Sequence, residues 1–116
     1  MTYRYRFTTE WFADSELKRL LPSLLDETKP NRILEIGCYE GQSAVHFGDM
    51  YCKHEESKLV LVDPFDVSDT TTCLTGETER TFDENIQNSR EYEKIRVHKE
   101  TSDEFFKKNK ERFTFI

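Results

Sequence analysis

"ILEIGCYEG", Ile33 to Gly41, reads as a strand that stops on a glycine turn. The apolar run Ile33 to Ile36 ends abruptly at Gly37, and a second glycine follows at Gly41. A glycine directly after a strand lets the chain turn with positive φ, and one at the next helix start lets that helix begin close to the sheet. Bare backbone then faces whatever lies across the strand's carboxyl end and the helix N-terminus.

Working outward, Gln42 to about Cys52 reads as a helix, with Ala44, Val45, Phe47 and Tyr51 suited to packing and Gly48 to a close approach. "KLVLVDPF" supplies a second strand, apolar from Leu59 to Val62 and closed by Asp63 and Pro64. Strand, glycine turn, helix and strand make a βαβ unit, and a continuous apolar strand suits burial on both faces. Upstream, Leu17, Leu20, Leu21, Leu24 and Leu25 form a helical stripe expected to cover one face of the sheet. Asp14 or Ser15 is its N-cap, and Pro22 its kink or restart. "TYRYRF" alternates Tyr3, Tyr5 and Phe7 with Arg4 and Arg6, as an edge strand or an extended arm packing its rings on the domain.

Downstream, "DVSDTTTCLTGE" reads as a loop, and Glu77 to Ser89 as a helix with Phe82 and Ile86 on its inner face. "KIRVH" is a third strand alternating Ile95 and Val97, Thr101 to Glu104 is a capping box opening a helix with Phe105 and Phe106, and "RFTFI" is a fourth strand. The fold expected is α/β: an arm and helix over residues 1–30, then a βαβαβα half-domain and a lone strand over 31–116, cut off midway through a sheet.

Composition narrows the function. At 116 residues the chain holds one domain, and its net charge of −6, with basic residues mixed among acids, argues against a nucleic-acid surface. Cys38, Cys52 and Cys73 are odd in number and lack CxxC spacing, so neither a disulfide framework nor a zinc knuckle is indicated and a reducing, cytoplasmic setting fits best. No run approaches a membrane span or a signal-peptide core.

The glycine spacing is GxxxG rather than the GxGxxG of dinucleotide sites, and Glu35 stands two residues before the first glycine. A carboxylate there repels a pyrophosphate and attracts a cationic amino-acid ligand, which favours S-adenosylmethionine over NAD. Asp63 follows Gly41 by 22 positions, the separation of an acid at the next strand's end that accepts hydrogen bonds from ribose hydroxyls.

"ILEIGCYEGQSA" followed by "LVLVDPF" resembles the class I S-adenosylmethionine-dependent methyltransferases, within them the small-molecule O-methyltransferase-like group, and "FTTEWF" (7–12) is similar to a lead-in found in part of that group. The resemblance implies a Rossmann-like sheet of seven strands, of which this sequence supplies the first four. It implies that Glu35, Gly37, Cys38, Gly41 and Ser43 surround the methionine part of the cofactor, that Asp63 binds the ribose, and that Pro64 and Phe65 flank the adenine. Thr101 and Ser102 match an adenine-contacting position, although the capping box explains both without a ligand. The acidic segment that follows the fourth strand in relatives would come after Ile116, so no catalytic residue is identified.

The expected activity is methyl transfer to a small molecule, at oxygen, with this chain as the cofactor-binding half; it would then be a partial gene product or a trimmed piece. The alternatives are a non-catalytic module or partner subunit that binds S-adenosylmethionine or its product, and a nucleotide-binding oxidoreductase fragment. Cys52 and His54 would need two further ligands to hold zinc, so no metal is expected. His46 suits a helix surface or the sheet, His98 is a strand-end candidate for a general base, and Lys107, Lys108 and Lys110 form a solvated face. An apolar terminal strand with an unpaired edge points to self-association.

Overall fold

The computed structural model describes residues 4–116, so Tyr3 of the aromatic alternation lies outside the described residues. Three parallel strands, β1 (Arg32–Ile36), β2 (Lys58–Val62) and β3 (Ile95–His98), are hydrogen-bonded in the order β1-β2-β3. The register sets Ile36 beside Val62 and Val62 beside His98, so all three carboxyl ends finish level. Helix α1 (Glu16–Leu24) precedes the sheet, α2 (Gln42–Tyr51) joins β1 to β2, α3 (Gly76–Gln87) and a 3-10 turn at Tyr92–Lys94 join β2 to β3, and α4 (Ser102–Lys108) follows. This is the α/β, Rossmann-like arrangement expected from the sequence.

β2 is the axis of the core. Leu59 and Leu61 face a cluster with Ala44, Val45 and Phe47 of α2 and Phe82 and Ile86 of α3, while Val60 and Val62 face a smaller one with Leu34 and Phe105. These four of the five β2 side chains are fully buried, each contributing about 1.5–3 kcal/mol relative to exposure. Burial on both faces explains why this strand reads as an unbroken apolar run.

Two expectations need correction, the reach of the leucine stripe and the fourth strand. Ser15 caps α1 by accepting from the Lys18 N–H, and Pro22 sits inside the helix, but of the leucine stripe only Leu21 and Leu25 are buried. Leu17, Leu20 and Leu24 remain exposed, so the stripe reaches the core only through Leu21 and Leu25. β3 is the third strand expected from the sequence, at the edge of the sheet, with Ile95 buried and Val97 exposed. "RFTFI" makes a single parallel bridge, Ile33 with Phe115, on the outer edge of β1. There the Arg32 N–H donates to the Thr114 hydroxyl at 2.9 Å, so a side chain takes the place of a ladder rung.

The loop before α3 lacks regular structure until Gly76, and α3 and α4 open on the capping boxes of Thr75 and Thr101. The residues before α1 form an extended arm rather than a strand, with Tyr5, Phe7 and Phe12 packed on the larger cluster. Among the described residues no helix is long and apolar enough to cross a membrane.

Candidate functional site

The carboxyl edge of β1 and β2 is closed by one carboxylate. Gly37 donates its N–H to Val62 O at 2.9 Å, extending the ladder by one residue, and then turns with φ +85°. The next amide, Cys38 N–H, donates to Asp63 Oδ2 at 2.7 Å, and the Phe65 N–H donates to Asp63 Oδ1 at 2.8 Å. Asp63 is buried and ties the glycine loop to the end of the neighbouring strand. Gly41 N–H donates to Cys38 O at 2.8 Å, and Gly41, at φ +82°, serves as the N-cap of α2. A Cβ at Gly41 would come within 3.2 Å of Phe82 Cδ2, so the close approach this glycine permits is to α3. Tyr39, between the glycines, is held at φ +50°, where a residue with a Cβ is strained.

Beneath this loop lies Glu35. The Ser43 hydroxyl at the start of α2 donates to Glu35 Oε2 at 2.6 Å. Glu35 Oε1 is the one buried side-chain oxygen or nitrogen without a partner among the described residues. Burial pushes the carboxyl up to about 7, opposed by the hydrogen bond from Ser43 and by the nearby Cys38 thiol, and reinforced by the charge of Asp63. The Cys38 thiol is pushed far above the ordinary thiol range, first by burial and then by the charges of Glu35 and Asp63. It is therefore no nucleophile at neutral pH.

A cleft of about 520 Å³ opens above the loop. Gly37, Cys38, Ser43, Asp63 and Pro64 line it, while Glu35 and Gly41, also expected there, lie behind the lining. Phe65 stays in the core with its ring 4.8 Å from that of Phe82, and Thr101 and Ser102 lie outside the cleft, Thr101 accepting from the Glu104 N–H as the cap of α4. The lining also includes residues to which the sequence assigned no role in the site: Thr9, Trp11 and Phe12 of the arm, Tyr39, Glu40 and Gln42 of the loop, and Asp66, Asp69 and 71–74 after β2. Glu40 and Gln42 stood inside the quoted motif, but nothing local distinguished them from filler. Four of the lining residues are acidic and none is basic, which suits a neutral or cationic ligand and disfavours a pyrophosphate.

The remaining candidates are engaged elsewhere. His46 packs against the rings of Phe12 and Tyr51, His98 against Phe105 with Nδ1 3.4 Å from Glu100 Oε2, and neither lines the cleft. Cys52 is buried with its thiol pushed up to about 12, and His54 Nδ1 accepts from the Glu56 N–H.

Comparison with known proteins agrees with this geometry. The family described as "Methyltransferase domain" matches residues 34–116, beginning after the arm and α1. A solved structure described as "StiE O-MT residues 961-1257" is similar to the chain with a TM-score of 0.51 and 18% identity, over 75% of this chain and 26% of that one. No curated protein matches the chain.

Proposed function

The chain belongs to the methyltransferase domain family, of the class I S-adenosylmethionine-dependent kind, and from that premise we propose that it supplies the cofactor-binding half of a methyl transfer to a small molecule, at oxygen. The observation that carries the cofactor assignment is Glu35 Oε1, a buried acceptor without a donor at the base of the glycine loop. An unpaired buried oxygen costs about 1–3 kcal/mol; Glu35 lies just behind the cleft lining and its partner Ser43 is part of it, so a water held there against a ligand ammonium offsets that cost. Asp63 accepts one N–H on each oxygen and keeps lone pairs for the ribose hydroxyls.

In this reading Glu35, Gly37, Cys38, Gly41 and Ser43 surround the methionine part, Asp63 holds the ribose, and Pro64 borders the adenine, while Phe65, its ring in the core, supports the loop from below. Thr101 and Ser102, outside the cleft, are assigned to opening α4. The bound cofactor supplies an electrophilic methyl group on a sulfonium. The chain's own residues bind and orient, and the acidic lining favours the charged sulfonium. The description "O-MT" of the similar structure supports oxygen as the acceptor atom. The free cysteines support a cytoplasmic setting.

A second reading, a module that binds the cofactor or its product without catalysis of its own, is favoured by one observation. Asp63 and Glu40, on both oxygens, already accept hydrogen bonds from the protein, and among the described residues no histidine or lysine lines the cleft, which leaves only the exposed loop carboxylates Asp66 and Asp69 to take a proton.

Calorimetric titration tests the cofactor assignment. S-adenosylhomocysteine is expected to bind one molecule per chain and NAD not to bind; binding of NAD without S-adenosylhomocysteine would overturn it.

A further inference from the structure

The arm beside the cleft packs its rings on the core and is also fastened through its backbone. Asn85 of α3, 2% exposed, accepts from the Arg6 N–H at 2.9 Å and donates through Nδ2 to Arg6 O and Glu40 O, both at 2.9 Å. One buried amide thus clamps the arm to the glycine loop. The Glu40 carboxylate then accepts from the Thr8 N–H at 2.8 Å and from the Thr8 hydroxyl at 2.7 Å. Gln42 accepts from the Phe12 N–H at 2.8 Å and donates to Thr9 O at 3.0 Å. The result is a strap over residues 6–13 fastened by three side chains, two of which, Glu40 and Gln42, also line the cleft.

The strap carries Trp11 to the mouth of the cleft, where its ring stacks at 4.8 Å on that of Tyr39 and stays 57% exposed. An exposed indole held over a cleft has one face packed and one face available. Its setting, among carboxylates and a strained tyrosine, suits contact with a flat or positively charged ligand group.

We propose that Trp11 is a ligand-contacting residue of this cleft, and that Asn85, which does not touch the cleft, is the positioning residue that sets Trp11 there through the strap. The proposal rests on the reading that the cleft binds S-adenosylmethionine and its product. If the strap must be docked for tight binding, loosening it lowers the apparent affinity by the fraction of time it is docked.

Trp11 is the chain's one tryptophan, so its fluorescence reports on the strap without labelling. S-adenosylhomocysteine is titrated into the full chain by calorimetry and by Trp11 emission. The wild type is expected to show both signals saturating at the same concentration. Asn85→Asp keeps the acceptor for Arg6 but loses both donors; its emission is expected to shift to the red before ligand is added, with affinity about tenfold lower. Trp11→Ala changes an exposed residue and keeps the fold, so it decides the matter if Asn85→Asp does not fold. Its affinity by calorimetry is expected to fall at least fivefold, on the order of one lost stacking contact. Trp11→Ala with wild-type affinity, or wild-type heat without a change in Trp11 emission, overturns the proposal and leaves the cofactor reading standing. No heat from the wild type overturns the cofactor reading itself.

Discussion

Cys38 and Asp63 are joined by a hydrogen bond of 2.7 Å from the Cys38 amide to Asp63 Oδ2. This bond fixes the first residue after the β1 turn to the residue that ends β2, so the two strands present one surface to a ligand. The second oxygen of Asp63 holds the Phe65 amide at 2.8 Å, and Phe65 itself sits at φ +49°, a left-handed position that needs such support.

Asp63→Asn is therefore expected to do more than remove a ligand contact. An amide of the same shape satisfies only one of the two N–H groups and faces the other with a donor. Loss of a buried hydrogen bond to a charged group costs about 1.5–3 kcal/mol. Urea denaturation should show the lower stability, and S-adenosylhomocysteine affinity should fall with it. Unchanged stability would mean that Asp63 does not organise the loop.

Glu35 makes both stability and binding depend on pH. Its carboxyl is raised from 4.5 to about 7, chiefly by burial, so between those values the folded chain holds a proton that the unfolded chain has released. Stability is then fully present below about 4.5 and falls as pH rises to about 7, by about 3 kcal/mol. A cationic ligand needs the carboxylate and pulls in the other direction, so affinity should rise from pH 6 to pH 8. Glu35→Gln should flatten both profiles over this window. Parallel profiles for the two proteins would show that Glu35 is not the titrating group.

The glycines differ in what they tolerate. Gly37 and Gly41 both have positive φ, at +85° and +82°, but only Gly41 has a neighbour, Phe82, that an added Cβ would press at 3.2 Å. Gly37→Ala should cost about 1–2 kcal/mol from backbone strain alone, and Gly41→Ala more than that. Gly76, at the first turn of α3, has open space and ordinary φ, so Gly76→Ala should stabilise by about 0.4–1 kcal/mol. Thermal melts of the three variants give the ranking. Equal effects at Gly37 and Gly41 would remove any role for the contact with Phe82.

Much of this site was legible because its signals are local. A glycine after a strand and an acid closing the next strand obey short-range rules, and Gly37, Gly41 and Asp63 follow them. Asn85 could not be read this way, since its partners Arg6 and Glu40 lie 79 and 45 residues away and a mid-helix asparagine carries no sequence mark of burial. Trp11 was visible only as part of a lead-in; its place over Tyr39 depends on the strap. The leucines of α1 show the limit of periodicity, which identifies a helix and not what covers it: Leu21 is buried, Leu20 beside it is exposed. Thr114 shows another, since its β-forming neighbours suggest a strand while its hydroxyl takes the Arg32 amide.

Apolar surface remains at Ile36, Phe106 and Ile116, with Ile116 71% exposed beside the single bridge on the edge of β1. Such a surface favours association. Sedimentation of the 116-residue chain is expected to show concentration-dependent self-association, reduced by Ile116→Lys. A monomer at every concentration would rule this edge out as a contact.

The most direct test of a cofactor site at the ends of β1 and β2 is amide chemical-shift mapping during titration with S-adenosylhomocysteine. The amides of Gly37, Cys38, Ser43 and Phe65 are expected to move together and saturate at one ligand per chain. Shifts confined to the second cleft, between Pro22 and Tyr51 at the far ends of α1 and α2, or no shifts at all, would contradict it.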